Sequence, residues 1–143
     1  MAARVGDENW RDVMNKHNAA AIRTVTQNGG TLIKFLGDGF LAMFQSPSSA
    51  IACAQQFQSE ARAFALSVRA GIHSGECLRI ANDVTGIALA ITARVLNQAP
   101  GERVWVSSTV RDLVVGSELE FVKVGSRKLR GLPDEWTLYE VDG

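Results

Sequence analysis

Thr31-Leu32-Ile33-Lys34-Phe35-Leu36-Gly37-Asp38-Gly39-Phe40-Leu41-Ala42-Met43-Phe44 is the stretch on which the reading of this chain turns. Residues 31–35 and 40–44 are rich in β-formers, and Gly37-Asp38-Gly39 between them is the kind of turn that a hairpin requires. Lys34 and Asp38 then stand across a tight turn from one another, a cation and a carboxylate near the tip of two strands.

Upstream, Asp7 can cap a helix whose apolar positions Trp10, Val13, Met14, His17, Ala21 and Val25 recur at three and four, until Gly29-Gly30 ends it. Downstream, Ser46 as cap and Pro47 as first helical residue start a second helix with the stripe Ala50, Ile51, Ala54, Phe57, Ala61 and Phe64. Leu66 to Ile72 reads as a strand, and Glu76 to Ile80 as a second strand or an extension of it. After an Asn82-Asp83 turn, Ile87 to Leu96 is apolar nearly all round, which predicts a helix buried against more than one surface. Arg103 to Val106 is a short strand. Ser107-Ser108 caps a short helix to about Val115, and final strands fall near Leu119 to Val124 and Trp136 to Val141. Trp10, Met14 and Trp136 read as core residues.

The composition fits one domain over residues 1–143. The chain is 46% hydrophobic and 21% charged, enough apolar content for a real core. Lys plus Arg equals Asp plus Glu at 15 each, so no global basic field points to nucleic acid and no polybasic run to a membrane surface. No apolar run is long enough to cross a bilayer and the first residues do not form a signal peptide, so a soluble segment is expected. The expected location is cytoplasmic. Cys53 and Cys77 lack metal-ligand spacing and read as buried free thiols.

Helix, hairpin, helix, strand is three quarters of a βαββαβ unit, so the expected class is α+β, ferredoxin-like, with additional C-terminal strands. The first strand of such a unit is missing from the sequence. Because it would lie inside the sheet, two neighbours are expected to lack ladder partners, as in a fragment or in a chain completed by a partner or swapped segment.

The hairpin, followed by Arg69-Ala70-Gly71-Ile72-His73-Ser74-Gly75-Glu76, then Asn82-Asp83-Val84-Thr85-Gly86 and Ala93-Arg94-Val95, closely resembles class III nucleotidyl cyclases. The resemblance runs from Arg4 to Val141 and is nearest to the bacterial adenylate cyclase subgroup. It implies conversion of ATP to 3′,5′-cyclic AMP and pyrophosphate with magnesium or manganese. Asp38 would hold metal, since these hard ions take carboxylate oxygens. The family's first metal-binding aspartate lies upstream of the opening helix, before this sequence starts, and Asp7 does not replace it.

By the same resemblance, Lys34 and Asp83 are the substrate-binding pair that reads adenine, which presents an acceptor at N1 and a donor at its amino group. Arg94 is the catalytic arginine that stabilises charge on the α-phosphate. Arg130, in Lys128-Leu129-Arg130-Gly131-Leu132-Pro133, resembles a segment whose lysine meets the terminal phosphates, a task that arginine performs by bidentate bonds. The sequence departs from the pattern at Ala90, one helical turn before Arg94, where the family carries asparagine or histidine to orient the ribose. His73 and Glu76 mark the family and organise strand and turn. The family works as a head-to-tail dimer, homomeric or heteromeric, with Asp38 of one chain serving Lys34, Asp83, Arg94 and Arg130 of the other. The alternative is a non-catalytic cyclase homology domain that binds nucleotide or pairs with an intact partner. A diguanylate cyclase shares the core, but no G-G-D-E-F-like turn occurs here.

Overall fold

A computed structural model describes residues 2–37, 39–81 and 83–142, with side chains from residue 9 onward. The order is α1 (Ala2–Gln27), β1 (Thr31–Leu36), β2 (Gly39–Met43), α2 (Pro47–Ala63), β3 (Ala70–Ile72), β4 (Leu78–Ile80) and β5 (Asp83–Thr85). There follow α3 (Ile87–Gln98), β6 (Val104–Ser107), α4 (Ser108–Leu113), β7 (Glu120–Lys128) and β8 (Glu135–Asp142).

The α+β class stands. The strands form a four-stranded sheet in the order β3-β6-β8-β7 and two separate hairpins, β1-β2 and β4-β5. β3 runs parallel to β6, and the other pairings are antiparallel. Among the described residues β3 ends its sheet and β2 pairs only with β1. The hairpin is tied to the rest through helices instead, with Phe40 of β2 packing on Ala20 and Ala21 of α1 and Phe57 of α2.

α1 begins at Ala2, so Asp7 lies inside the helix rather than at its cap; residues 2–5, Ala-Ala-Arg-Val, carry no helix breaker. The side chain of Asp7 is outside the described residues. His17, Ala20, Ala21, Thr24 and Val25 form the buried stripe, while Trp10 and Met14 are only half-buried. The helix ends in a Schellman motif: Gly30 N–H donates to the Val25 carbonyl at 2.9 Å and Gly29 N–H to Thr26 at 3.1 Å. Gly29 sits at φ 75°, a region that glycine enters without Cβ strain. Ser46 occupies the cap position of α2 before Pro47, but its side chain makes no capping bond.

The predicted strand from Leu66 shortens to Ala70–Ile72, because Leu66 N–H is used to close α2 onto the Ala61 carbonyl at 2.9 Å. Asp83 opens β5 instead of standing in a turn, and Asn82 lies outside the described residues. α4 stops at Leu113, capped by Ser107, whose hydroxyl accepts from Val110 N–H, and β7 runs on to Lys128. α3 buries one stripe, Ala88, Ile91 and Val95, and leaves Ile87 66% exposed, so it is not covered on several sides. Cys53 is buried, and burial pushes its thiol pKa up, whereas Cys77 is exposed, contrary to the sequence expectation.

β3 and α3 approach each other closely at Gly71. A Cβ on Gly71 would stand 2.5 Å from Leu96 N and 2.6 Å from its Cα, atoms that cannot swing aside. Gly71→Ala should therefore lower unfolding free energy in urea by about 1–3 kcal/mol, with an unchanged midpoint showing that α3 is free to move off the sheet.

Candidate functional site

The predicted residues fall into two groups. β1 carries Lys34, β5 carries Asp83, and Lys34 Nζ lies 2.9 Å from Asp83 Oδ1 and donates to Oδ2 at 3.1 Å. Asp83 Oδ1 also accepts from Val84 N–H at 2.7 Å. The hydrogen bond from Lys34, then that from Val84, holds the Asp83 carboxyl below its ordinary pKa. Residues 49 apart in sequence thus present a donor and an acceptor side by side, at the surface.

The surroundings of this pair are apolar. Ile80 and Leu78 pair across β4-β5 with Asp83 and Thr85, and opposed residues of an antiparallel ladder share a face. The face bearing Asp83 therefore also carries Leu78 and Ile80, 60% and 56% exposed. Phe35, Leu36 and Ile87 are exposed large apolar side chains on neighbouring segments of chain. Sequence reasoning did not single these residues out; the signal available was an apolar side chain at both alternate positions of a very short strand.

The second group lies farther along α3. Arg94 is seven residues beyond Ile87, or about 10 Å along the helix axis, and its Nε–H donates to the backbone carbonyl of Arg130 at 2.8 Å. The structure thus joins Arg94 to the segment of Arg130, whose side chain is exposed. Ala90, one turn before Arg94, is also exposed. Asp38 lies outside the described residues, and among those described no three His, Cys, Asp or Glu side chains cluster as a metal site.

His73 is half-buried. Its Nδ1 is 2.6 Å from Ser107 Oγ, and its ring meets Trp136 edge-on with centroids 5.7 Å apart. Burial lowers its pKa and so favours the neutral ring. These contacts tie the ends of β3, β6 and β8 together, the organising role expected from the sequence, while Glu76 is exposed.

No family model matches the sequence. An uncharacterised protein of Mycobacterium tuberculosis is 34% identical over 120 residues, which cover 80% of this chain and 42% of that protein. The chain thus spans less than half the length of that relative. Among solved structures, an adenylate/guanylate cyclase/hydrolase from Silicibacter pomeroyi is 22% identical with a TM-score of 0.76, covering 92% of this chain and 85% of that one. The catalytic core of a rhodopsin-guanylyl cyclase with converted specificity, in complex with ATPαS, is 14% identical with a TM-score of 0.86 over 99% of this chain and 87% of the other. The chain has the fold of these cyclase domains.

The Lys34–Asp83 pair makes a direct prediction. In NMR titration the Asp83 carboxyl should have its midpoint below that of an ordinary aspartate, and Lys34→Met should move it back up. A depressed folded-state pKa means that the pair favours the folded state above the unfolded-state value and loses that contribution as pH falls through the folded-state midpoint. A midpoint indifferent to Lys34→Met would remove the ion pair from solution.

Proposed function

We propose that this chain is a class III nucleotidyl cyclase domain of the bacterial adenylate cyclase subgroup, converting ATP to 3′,5′-cyclic AMP and pyrophosphate. The observation that carries this reading is the preformed Lys34–Asp83 pair, set on a fold shared with adenylate and guanylate cyclases. Lys34 would donate to adenine N1 and Asp83 would accept from the amino group. Guanine presents the reverse pattern, so ATP is favoured over GTP.

Two cationic groups then serve the phosphates. The Arg94 guanidinium would meet the α-phosphate, where negative charge grows as the 3′-oxygen attacks and pyrophosphate leaves. Arg130 would meet the terminal phosphates through its fork of N–H donors. Asp38, which falls between β1 and β2 in the sequence, would suit magnesium or manganese because a carboxylate is a hard oxygen donor. Phosphate oxygens and a second protein group would complete the donor set. The bound metal would acidify the ribose 3′-hydroxyl and offset phosphate charge.

The apolar face around Asp83 supports a head-to-tail dimer, homomeric or with another cyclase domain. Leu78, Ile80 and Ile87 remain in water in the single chain. Covering them with a second cyclase domain would bury apolar area and remove water from the base-reading pair in one event. By this reading the metal-binding Asp38 of one chain acts on the nucleotide held by Lys34, Asp83, Arg94 and Arg130 of the other, in a cytoplasmic enzyme.

Ala90 favours a second reading, a cyclase homology domain that binds nucleotide without turning it over. It lies exposed one turn before Arg94, and its methyl group offers no hydrogen bond to a ribose.

Cyclic nucleotide formation and nucleotide binding with manganese, measured with ATP and GTP in parallel, separate the readings. A cyclase yields cyclic AMP in preference to cyclic GMP, loses product in Asp38→Asn, and loses about tenfold or more of its base discrimination in Lys34→Ala with Asp83→Ala. ATP binding without product, with turnover restored by Ala90→Asn, selects the second reading. No ATP binding rejects both.

A further inference from the structure

Charge does not explain how Arg94 meets Arg130. Two guanidinium groups repel, yet Arg94 Nε–H donates to the Arg130 carbonyl at 2.8 Å. The direction of that carbonyl is a property of the turn over residues 129–132. Leu132 N–H donates to the Leu129 carbonyl at 3.1 Å, and Gly131, the third residue, has φ 80°. An i to i+3 bond with a left-handed third residue marks a type II turn, in which the central peptide is flipped relative to type I. The flipped unit is Arg130–Gly131, and its carbonyl is the one that Arg94 uses.

The turn has a firm base. Leu129 is 1% exposed and shares a core cluster with Val95, the residue that follows Arg94. Both ends of the Nε–carbonyl bond are thus fixed by one packed unit. Space does not demand a glycine here, since a Cβ on Gly131 would meet nothing within 4 Å. Backbone conformation does, because a left-handed φ costs other L-residues more than glycine, asparagine least among them.

We propose that Gly131 is a positioning residue for the phosphate end of the site: its left-handed conformation turns the Arg130 carbonyl toward Arg94 and fixes that guanidinium for an incoming triphosphate. The proposal rests on the phosphate-binding roles given above. With Nε committed to the main chain, the two Nη amino groups make no other hydrogen bond among the described residues and keep their donors for phosphate oxygens. A guanidinium held before the ligand arrives loses less rotamer entropy on binding.

Two measurements on the native chain, Gly131→Ala and Gly131→Asn test this. In NMR spectra of the ligand-free protein, the Arg94 Nε–H should be protected from exchange in the native chain and in Gly131→Asn, and unprotected in Gly131→Ala. Calorimetric titration with inorganic triphosphate should show affinity about fivefold or more weaker in Gly131→Ala and within about twofold in Gly131→Asn, with both melting midpoints near native. Unchanged protection and affinity in Gly131→Ala overturn the proposal. So does a loss of affinity accompanied by a matching collapse of the melting midpoint, which assigns the glycine to folding alone. A native chain that protects the Nε–H yet binds no triphosphate keeps the positioning contact and rejects the phosphate-binding roles instead.

Discussion

β6 is the constraint on which the rest of the molecule depends. All four of its residues, Val104 to Ser107, are buried, with β3 parallel on one side and β8 antiparallel on the other. Because alternate residues of a strand face opposite ways, it builds two cores at once. Val104 and Val106 join Ile51 of α2, Val110 of α4 and Val141 of β8, while Trp105 joins Ile91 and Val95 of α3 with Leu129 and Leu138. Each fully buried aliphatic side chain contributes about 1.5–3 kcal/mol of transfer free energy, so β6 and its neighbours hold much of the stability available to a domain of this size. Arg94 and the Gly131 turn belong to the Trp105 face, and His73 reaches Ser107 at the strand's end.

The end that carries Lys34 and Asp83 is built differently. Lys34 and Asp83 stand on two hairpins that belong to neither core face of the main sheet, and the strands of the β4-β5 hairpin are three residues long, with Val84 their one buried residue. Short two-stranded hairpins are marginal by themselves. The longer hairpin is held by Phe40 in the aromatic contact with His17 and Phe57, and beneath it α1 and α2 are cross-linked by Arg23–Glu60 and by Asn28–Gln56. The shorter one leans on the longer through the Lys34–Asp83 contact. The Arg94 end is thus set by a packed core and the Lys34–Asp83 end by polar contacts at its edge, which places local opening at the Lys34–Asp83 end first.

The parts of this arrangement that were legible in the sequence are those governed by local rules. Periodicity, cap residues and turn glycines located the helices and most strands of the described residues, and Gly29-Gly30 and Ser107 marked ends that the structure keeps. What periodicity does not carry is pairing. Leu66 to Arg69 have strand-like side chains but no ladder partner, and Lys34 and Asp83 were brought together only by resemblance, not by any spacing rule. α3 misled for a related reason: a helix apolar all round reads as fully buried, whereas its outer residues face solvent in a single chain. The bond from Arg94 to a carbonyl was beyond reach, since main-chain acceptors have no sequence signature.

A charged pair in water has little reason to persist for stability's sake. Two long side chains lose freedom to hold one geometry, and solvent screens the attraction. Lys34 and Asp83 are both well exposed, so their value has to lie in what happens when water leaves. In a low-dielectric setting each must keep a hydrogen-bond partner or incur a desolvation cost, and a ligand edge with the wrong donor pattern leaves both unmatched. Under the proposed function the apolar side chains beside the pair would be the means of removing that water, because a surface seated on Leu78 and Ile80 would also cover Asp83. Under the proposed function, selectivity would belong to the assembled state: the single chain holds the donor and acceptor in place, and a covering partner would make a mismatch expensive.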